Sequence, residues 1–164
     1  MQQKYIDILN IKVAKLMTDE ISAATFYLEC SSYLTNLELA EEIRTHSKEE
    51  FDHFTILMDY AVKHNIKRNY DFDRKVIKNI PTSDKSIIAA IQKLEKTAVA
   101  NYRELTLLAR ENDDLESEEL FAGLLKAEMT HFDDIAQYTG EKRTLGESFK
   151  SFKKFSDEFN SRYK

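Results

Sequence analysis

Very little in this chain can stop a helix. One proline, Pro81, and three glycines, Gly123, Gly140 and Gly146, are spread over 164 residues. Tightly turned β sandwiches and barrels need many more such residues, and Pro- or Gly-rich linker proteins need more still. Leu, Ala, Glu and Lys abound instead, which favours long helices. The length suits one domain with a substantial core.

The few breakers, read with the polar clusters, divide the chain. Ile80-Pro81-Thr82-Ser83-Asp84 reads as a helix start, with capping residues ahead of the apolar Ile87, Ile88 and Ile91. Leu34-Thr35-Asn36 reads as a short turn whose Asn36 can cap the next helix, and Asn112-Asp113-Asp114 as another turn. Gly140 reads as a terminator, with Gly146 close behind. Residues 65–80 are rich in Lys, Arg, Asn and Asp without a sustained stripe, which predicts a long connection. Four long helices are expected, over about 4–33, 37–64, 84–111 and 115–139, and a shorter one over about 145–162. The fold expected is all-α: an antiparallel four-helix bundle of two hairpins joined by a long crossover, over 1–140, followed by a short amphipathic C-terminal fifth helix over 141–164.

A net charge of −5 gives no general electrostatic grip on nucleic acid. Cys30 cannot form an internal disulfide, fits a reducing compartment and reads as a small buried apolar residue. The first ten residues lack a basic start followed by an apolar stretch, and the longest aliphatic run, Ile87 to Ile91, is far too short to span a bilayer. A soluble cytoplasmic protein without a membrane partner is expected.

Each long segment carries an apolar stripe at helical spacing. In the first it runs through Ile6, Leu9, Val13, Leu16, Met17, Ala24, Tyr27 and Leu28. In the second it runs through Ile43, Phe54, Leu57, Tyr60 and Ala61. In the third it comprises Ile88, Ile91, Ala98, Tyr102, Leu105 and Ala109, and in the fourth Phe121, Leu124, Ile135 and Tyr138. Carboxylates interrupt all four at the same depth: Glu20, then Glu50 with His53, then Glu95, then Glu128 with His131. Burying an ionised carboxylate without a partner costs several kcal/mol, and no Lys or Arg stands in these stripe positions. Metal ions resolve the conflict, because hard oxygen ligands with imidazole suit iron or manganese. Residues i and i+3 share a helix face, so Glu50-x-x-His53 and Glu128-x-x-His131 each aim a carboxylate and an imidazole at one place. A Glu from each of two helices with a Glu-x-x-His from each of the other two is the arrangement of di-iron carboxylate bundles.

An internal echo accompanies the motif. Tyr27 follows Glu20 by seven residues and Tyr102 follows Glu95 by seven, so the hairpins look like duplicates. Either phenol can hydrogen-bond a ligand, donate an electron, or simply fill the core. Gly123, five residues before Glu128, reads as a point of close helix approach. His46 and Glu49 beside the second-helix pair read as a solvated face, with an iron relay on an inner surface as the alternative.

On these residues the chain resembles the ferritin-like superfamily, and within it bacterioferritin. The resemblance covers about residues 4–140 and rests on Glu20 and Tyr27, on Glu50-Phe51-Asp52-His53, on Glu95 with Asn101 and Arg103-Glu104, and on Glu128-Met129-Thr130-His131. It implies that Glu20, Glu50 and His53 hold one iron ion and Glu95, Glu128 and His131 the other, with Glu50 and Glu128 bridging. It further implies oxidation of Fe(II) by O2 or H2O2, and a homo-oligomer that can extend to a twenty-four-subunit cage for iron storage and detoxification. Two iron ions per subunit are the expected cofactor, with manganese as the other candidate. Bacterioferritins carry a haem-ligating Met directly after the second-helix Glu; Phe51 stands there, so haem is not expected. Rubrerythrins add a Glu where this chain has Ala98 and carry a Cys-x-x-Cys module that it lacks, which weakens a peroxidase reading. Two rival functions remain from the sequence: a non-storage di-metal oxidase or peroxidase, and a metal-free helical interaction protein. In the tail, Phe149, Phe152, Phe155 and Phe159 recur beside Lys150, Lys153 and Lys154. That stripe suits a contact around a cage axis, the end of its own bundle, or another protein.

Overall fold

The computed structural model describes residues 3–139. The expected fifth helix, with its phenylalanine stripe, and the terminator at Gly140 lie outside the described residues. Within them the chain forms α1 (Gln3–Ser31), α2 (Leu37–Lys63), α3 (Arg74–Lys78), α4 (Asp84–Glu111) and α5 (Leu115–Ala136), closed by a 3₁₀ turn at Gln137–Thr139. The four long helices begin and end within a few residues of the positions expected from the sequence.

Side-chain caps set those boundaries. Asn36 Oδ1 accepts from the Leu39 N–H, and Ser83 with Ser86 forms a reciprocal capping box. Asp114 accepts from the Ser117 N–H at 3.2 Å. The exits of α2 and α4 explain the scarcity of glycine. Asn65 and Asp113, each just past its helix, adopt φ of 55°, a left-handed conformation that Asn and Asp tolerate better than most residues.

α1 packs along α2 and α4 along α5, making two hairpins, and α1 also lies against α4. Two long-range contacts fix how the hairpins meet. The turn before α2 is tied to the start of α4, where the Asp84 carboxylate accepts from the Thr35 N–H and hydroxyl and the Asn36 N–H. At the opposite end the Tyr5 hydroxyl donates to Asp114 in the α4–α5 turn at 2.9 Å. α1 and α4 are therefore antiparallel, and the segment between α2 and α4 travels the length of the bundle.

That crossover is not wholly irregular. It contains α3, capped by Asp73, whose Val76 packs with Ile80 against the core. Five residues are too few to show a helical period, which is why the sequence reads as a plain connection there. The strand of chain before α3 is fastened to α1 by the Asp71 N–H on Thr18 Oγ1 and the Asp73 N–H on Ser22 Oγ.

The apolar core is in two parts. One gathers Tyr5, Leu9, Val13, Leu57, Leu105 and Phe121; the other gathers Phe26, Cys30, Ile43, Ile87, Ile91 and Ile135. Cys30 is fully buried as expected, and burial pushes its thiol up to about 12. The stripes shift slightly from the sequence reading: Tyr5 is buried where Ile6 is half-buried, Ile87 is buried where Ile88 is half-buried, and Leu28 is exposed. Gly123 is exposed, and a Cβ added there would meet nothing within 4 Å. It therefore marks no close approach of helices, because its face of α5 is turned to open space. Between the two apolar clusters lies the layer of carboxylates and imidazoles.

Candidate metal centre

Glu20 comes from the middle of α1, Glu50 and His53 from α2, Glu95 from α4, and Glu128 and His131 from α5. All six are buried, none more than 6% exposed. The helical repeat does this directly. Each residue continues an apolar stripe, so the packing that hides Leu16, Ile91 or Leu124 also hides the carboxylate one or two turns away.

The distances divide the cluster into two lobes. His53 Nδ1 lies 2.7 Å from Glu128 Oε1, 3.3 Å from Glu50 Oε2 and 3.7 Å from Glu20 Oε2. His131 Nδ1 lies 2.9 Å from Glu50 Oε1, 3.8 Å from Glu95 Oε2 and 3.9 Å from Glu128 Oε2. Glu50 and Glu128 thus each turn one oxygen toward one imidazole and the second oxygen toward the other. Glu20 faces only the His53 lobe, and Glu95 only the His131 lobe. In each lobe the donor atoms of three carboxylates and one imidazole lie within 4.8 Å of one another.

The tyrosines cross between hairpins. Tyr27 of α1 donates its hydroxyl to Glu95 Oε1 of α4 at 2.6 Å, and Tyr102 of α4 donates to Glu20 Oε1 of α1. Glu20 and Glu95 are each held by a phenol through one oxygen and keep the other for their lobe. Burial and the surrounding carboxylates push both phenols well above their ordinary value, so they remain protonated donors.

Repulsion runs through the layer. Burial and Glu20 push Glu50 well up, while burial and Glu128 push Glu95 well up. Burial with the charges of Glu50 and Glu20 takes Glu128 up to about 7. Burial would raise Glu20 too, but hydrogen bonds to Glu50, His53 and Tyr102 and the His53 charge hold it below the usual carboxylate range. Burial pulls His53 down, and the carboxylates of Glu128, Glu20 and Glu50 outweigh it, holding the imidazole well above its ordinary value.

Two features escaped the sequence reading. His46 does not sit on a solvated face: it is 3% exposed, and its ring stacks on that of His131 with centroids 4.4 Å apart. Burial and the neighbouring His131 push it down to about 3, so it is a neutral imidazole. Its spacing of four from Glu50 and seven from His53 was the available signal, since those positions share a helix face. The half-exposed Glu49 is engaged as well. Its Oε2 lies 2.9 Å from His131 Nε2, the nitrogen facing away from the lobes, where a carboxylate orients an imidazole.

Two openings reach the cluster. A cavity of about 220 Å³ along the α1–α4 seam, walled by Leu16, Leu94 and Ala98, reaches Glu20, Glu50 and Glu128, with Asp19 and Asp73 also in its wall. A more open cleft of about 380 Å³ between α2 and α5 is lined by Asp52, His53, Thr130, His131 and Asp134.

Residues 12–145 match the ferritin-like domain family. The chain belongs to that family. Among solved structures it is similar to mycobacterial bacterioferritin, with a TM-score of 0.71 and 21% identity over 91% of each chain, a likeness of fold. No curated protein matches the sequence.

The donor set of this ferritin-like bundle fits a pair of metal ions. Glu95 Oε2, Glu128 Oε1 and His53 Nδ1 are sealed from solvent without a hydrogen-bond partner, although the last two are only 2.7 Å apart. Carboxylate oxygens and imidazole nitrogens that converge in one sealed layer are groups that a cation between them would satisfy. Among the described residues no helix is long and apolar enough to cross a membrane.

Proposed function

We propose that this protein is a ferroxidase that oxidises Fe(II) with O2 at a two-ion centre inside one subunit. The observation that carries the reading is the division of Glu50 and Glu128, each with one oxygen toward each imidazole. Glu50 and Glu128 would be shared between the ions, Glu20 and His53 would complete one site, and Glu95 and His131 the other. Fe(II) held by these residues would supply one electron per ion to a single oxidant molecule. O2 is the oxidant proposed, with H2O2 as the alternative; manganese can occupy the same donors.

The protein's own groups do the rest. Four carboxylates form a fixed negative cage that favours the higher charge of the oxidised ions. Tyr102 fixes the orientation of Glu20, and Tyr27 that of Glu95, leaving Tyr27 also placed to donate an electron. Glu49 on His131 Nε2 fixes the imidazole's direction. Phe51 offers no ligand atom, so no haem role is assigned to this position.

The family and the fold support placing this chemistry in iron storage and detoxification, within a homo-oligomer that can extend to a twenty-four-subunit cage. The lone Cys30 fits a cytoplasmic setting. Stopped-flow Fe(II) oxidation under air tests the proposal, with Glu128→Ala as the matched variant; equal rates would overturn it. The apolar walls of the α1–α4 cavity favour a second reading, a non-storage oxidase or peroxidase acting on a small organic substrate. Native mass separates the two: a hollow many-subunit particle supports storage, and a dimer supports the oxidase. A metal-free interaction protein is the reading least compatible with the sealed, unpartnered donor atoms, and metal analysis of Fe(II)-loaded protein excludes or restores it.

A further inference from the structure

The α1–α4 cavity has more structure than an approach to metal needs. Its apolar walls are Leu16 and Ala23 of α1, Val76 of α3, and Leu94 and Ala98 of α4, and at its inner end it reaches Glu20, Glu50 and Glu128. α3 closes one side because the crossover is fastened to α1 there. The Asp73 N–H donates to Ser22 Oγ at 2.7 Å, and Ser22 is buried beneath it. Five apolar side chains from three helices leave water few partners along the walls.

The charged groups in the lining are already engaged. Asp19 Oδ2 pairs with Lys15 Nζ, and Asp73 Oδ1 accepts from the Lys75 and Val76 N–H groups as the cap of α3. Burial raises the Asp19 carboxyl above its ordinary range, so these surroundings disfavour a lone charge. Asn101 differs. It is half-buried in the lining, and its side-chain amide makes no hydrogen bond among the described residues. That amide offers one acceptor oxygen and two donors to whatever fills the cavity.

We propose that this cavity binds a small uncharged organic molecule, with a compact apolar body between Leu16, Val76, Leu94 and Ala98 and one hydroxyl, carbonyl or amide end on Asn101. The size fits: an engineered apolar cavity of about 150 Å³ holds a benzene molecule, and this one is about 220 Å³. The absence of charge on the ligand rests on the two-ion reading, in which the carboxylates at the inner end are committed to metal and supply no counter-ion. A molecule seated here lies against the face of the centre formed by Glu20, Glu50 and Glu128. The site thereby gives the small-substrate oxidase reading a substrate class and a place to bind it.

Calorimetric titration of the full-length, Mn(II)-loaded protein with benzyl alcohol, benzylamine and benzoate tests the class, because the three share a body and differ in charge. Benzyl alcohol is expected to bind most tightly, and bound Mn(II) to broaden its proton resonances, which places it beside the centre. Ala98→Leu fills the cavity and is expected to weaken binding by about 10-fold or more, since one methylene in an apolar pocket is worth about 10- to 200-fold. Asn101→Ala is expected to bring benzyl alcohol down to the affinity of toluene, which lacks the hydroxyl. Leu94→Ala enlarges the cavity and is expected to turn the preference toward the longer phenylethanol, a test that stands even where Ala98→Leu fails to fold. Binding unchanged in both size variants, no broadening by bound Mn(II), or tighter binding of benzylamine or benzoate would each overturn the proposal. If the protein takes up no Mn(II), the two-ion reading fails, and the size variants in metal-free protein still decide whether the cavity is a binding site.

Discussion

Two buried polar groups of similar composition lie in this bundle, and they behave in opposite ways. At the end formed by the start of α1 and the α4–α5 turn, a single carboxylate, Asp114, is surrounded by donors. The Tyr5 hydroxyl donates to its Oδ2 at 2.9 Å, the Ser117 hydroxyl to the same oxygen at 2.7 Å, and the Ser117 N–H to Oδ1 at 3.2 Å. Tyr60 joins through Ser117 at 2.6 Å. Burial pushes Asp114 up, but these hydrogen bonds outweigh it and hold the carboxyl below its ordinary range. In the middle of the bundle four carboxylates share two phenols and two imidazoles, and three of their groups are pushed well up or to about 7. The first network is complete in itself, so it is a structural joint. The second is short of positive charge, the condition under which a buried layer favours a cation.

That contrast can be broken most severely at the shared carboxylates. Glu128→Ala removes an oxygen from both lobes and is expected to lower the rate of Fe(II) oxidation by more than about 100-fold, since loss of even an outer-shell partner costs a metal site about 10- to 100-fold. Single-turnover stopped flow measures it. Asp114→Asn, at the complete network, is expected to leave that rate unchanged.

Metal should distinguish the two networks by stability. Mn(II) at about 100 times its dissociation constant is expected to stabilise the fold by about 2.7 kcal/mol, a rise in Tm of about 5–10 °C. Glu128→Ala should show little of that rise in a thermal melt, and Asp114→Asn all of it.

The pH dependence should run in opposite directions. Glu50, Glu95 and Glu128 have folded values above their unfolded ones. Their contribution in metal-free protein is therefore fully present below about pH 4.3 and is lost as pH rises, for Glu128 through about 7. Asp114 is held low, so its contribution is present above about pH 3.9 and is lost as pH falls. Melts of metal-free Glu50→Gln/Glu95→Gln should lose less stability than wild type between pH 5 and pH 8, while Asp114→Asn should lose less on acidification. A decline between pH 5 and 8 equal to that of wild type in the double variant would contradict the assignment.

The smallest effects concern single hydrogen bonds. Asp114→Asn is expected to cost about 1–3 kcal/mol in chemical denaturation, because it weakens a buried acceptor with several donors. Tyr102→Phe is expected to cost about 1 kcal/mol and to slow Fe(II) oxidation only a few-fold, since Glu20 loses its orienting phenol but stays in place.

How much of this was readable from the sequence depends on the range of the interactions. The four long helices were, because their stripes repeat locally and Asn36, Ser83 and Asp114 cap them with residues a few positions away. The burial and convergence of Glu20, Glu50, His53, Glu95, Glu128 and His131 were, because Glu-x-x-His reports a shared face within one helix and Glu20 and Glu95 continue the apolar stripes of theirs. The crossing of Tyr27 to Glu95 and of Tyr102 to Glu20 was not, since the motif suggests only that each phenol is near its own helix's Glu, and the partner is set by how the hairpins pack. α3 was too short to show a period. His46 reads as solvated in the sequence because a histidine beside charged residues resembles a surface, although its position on the Glu50 and His53 face carries the opposite signal. Gly123 shows the converse error: a glycine inside a helix suggests a contact, and the structure places open space beside it.

A ferroxidase centre of the proposed kind requires that Glu50 and Glu128 be shared by a pair of ions that react together. Stopped-flow oxidation of Fe(II) under air, with increasing Fe(II) per chain, tests it directly. A fast phase is expected whose amplitude saturates at two Fe(II) per chain and disappears in Glu128→Ala. A fast phase that saturates at one Fe(II), or that survives unchanged in Glu128→Ala, would contradict it.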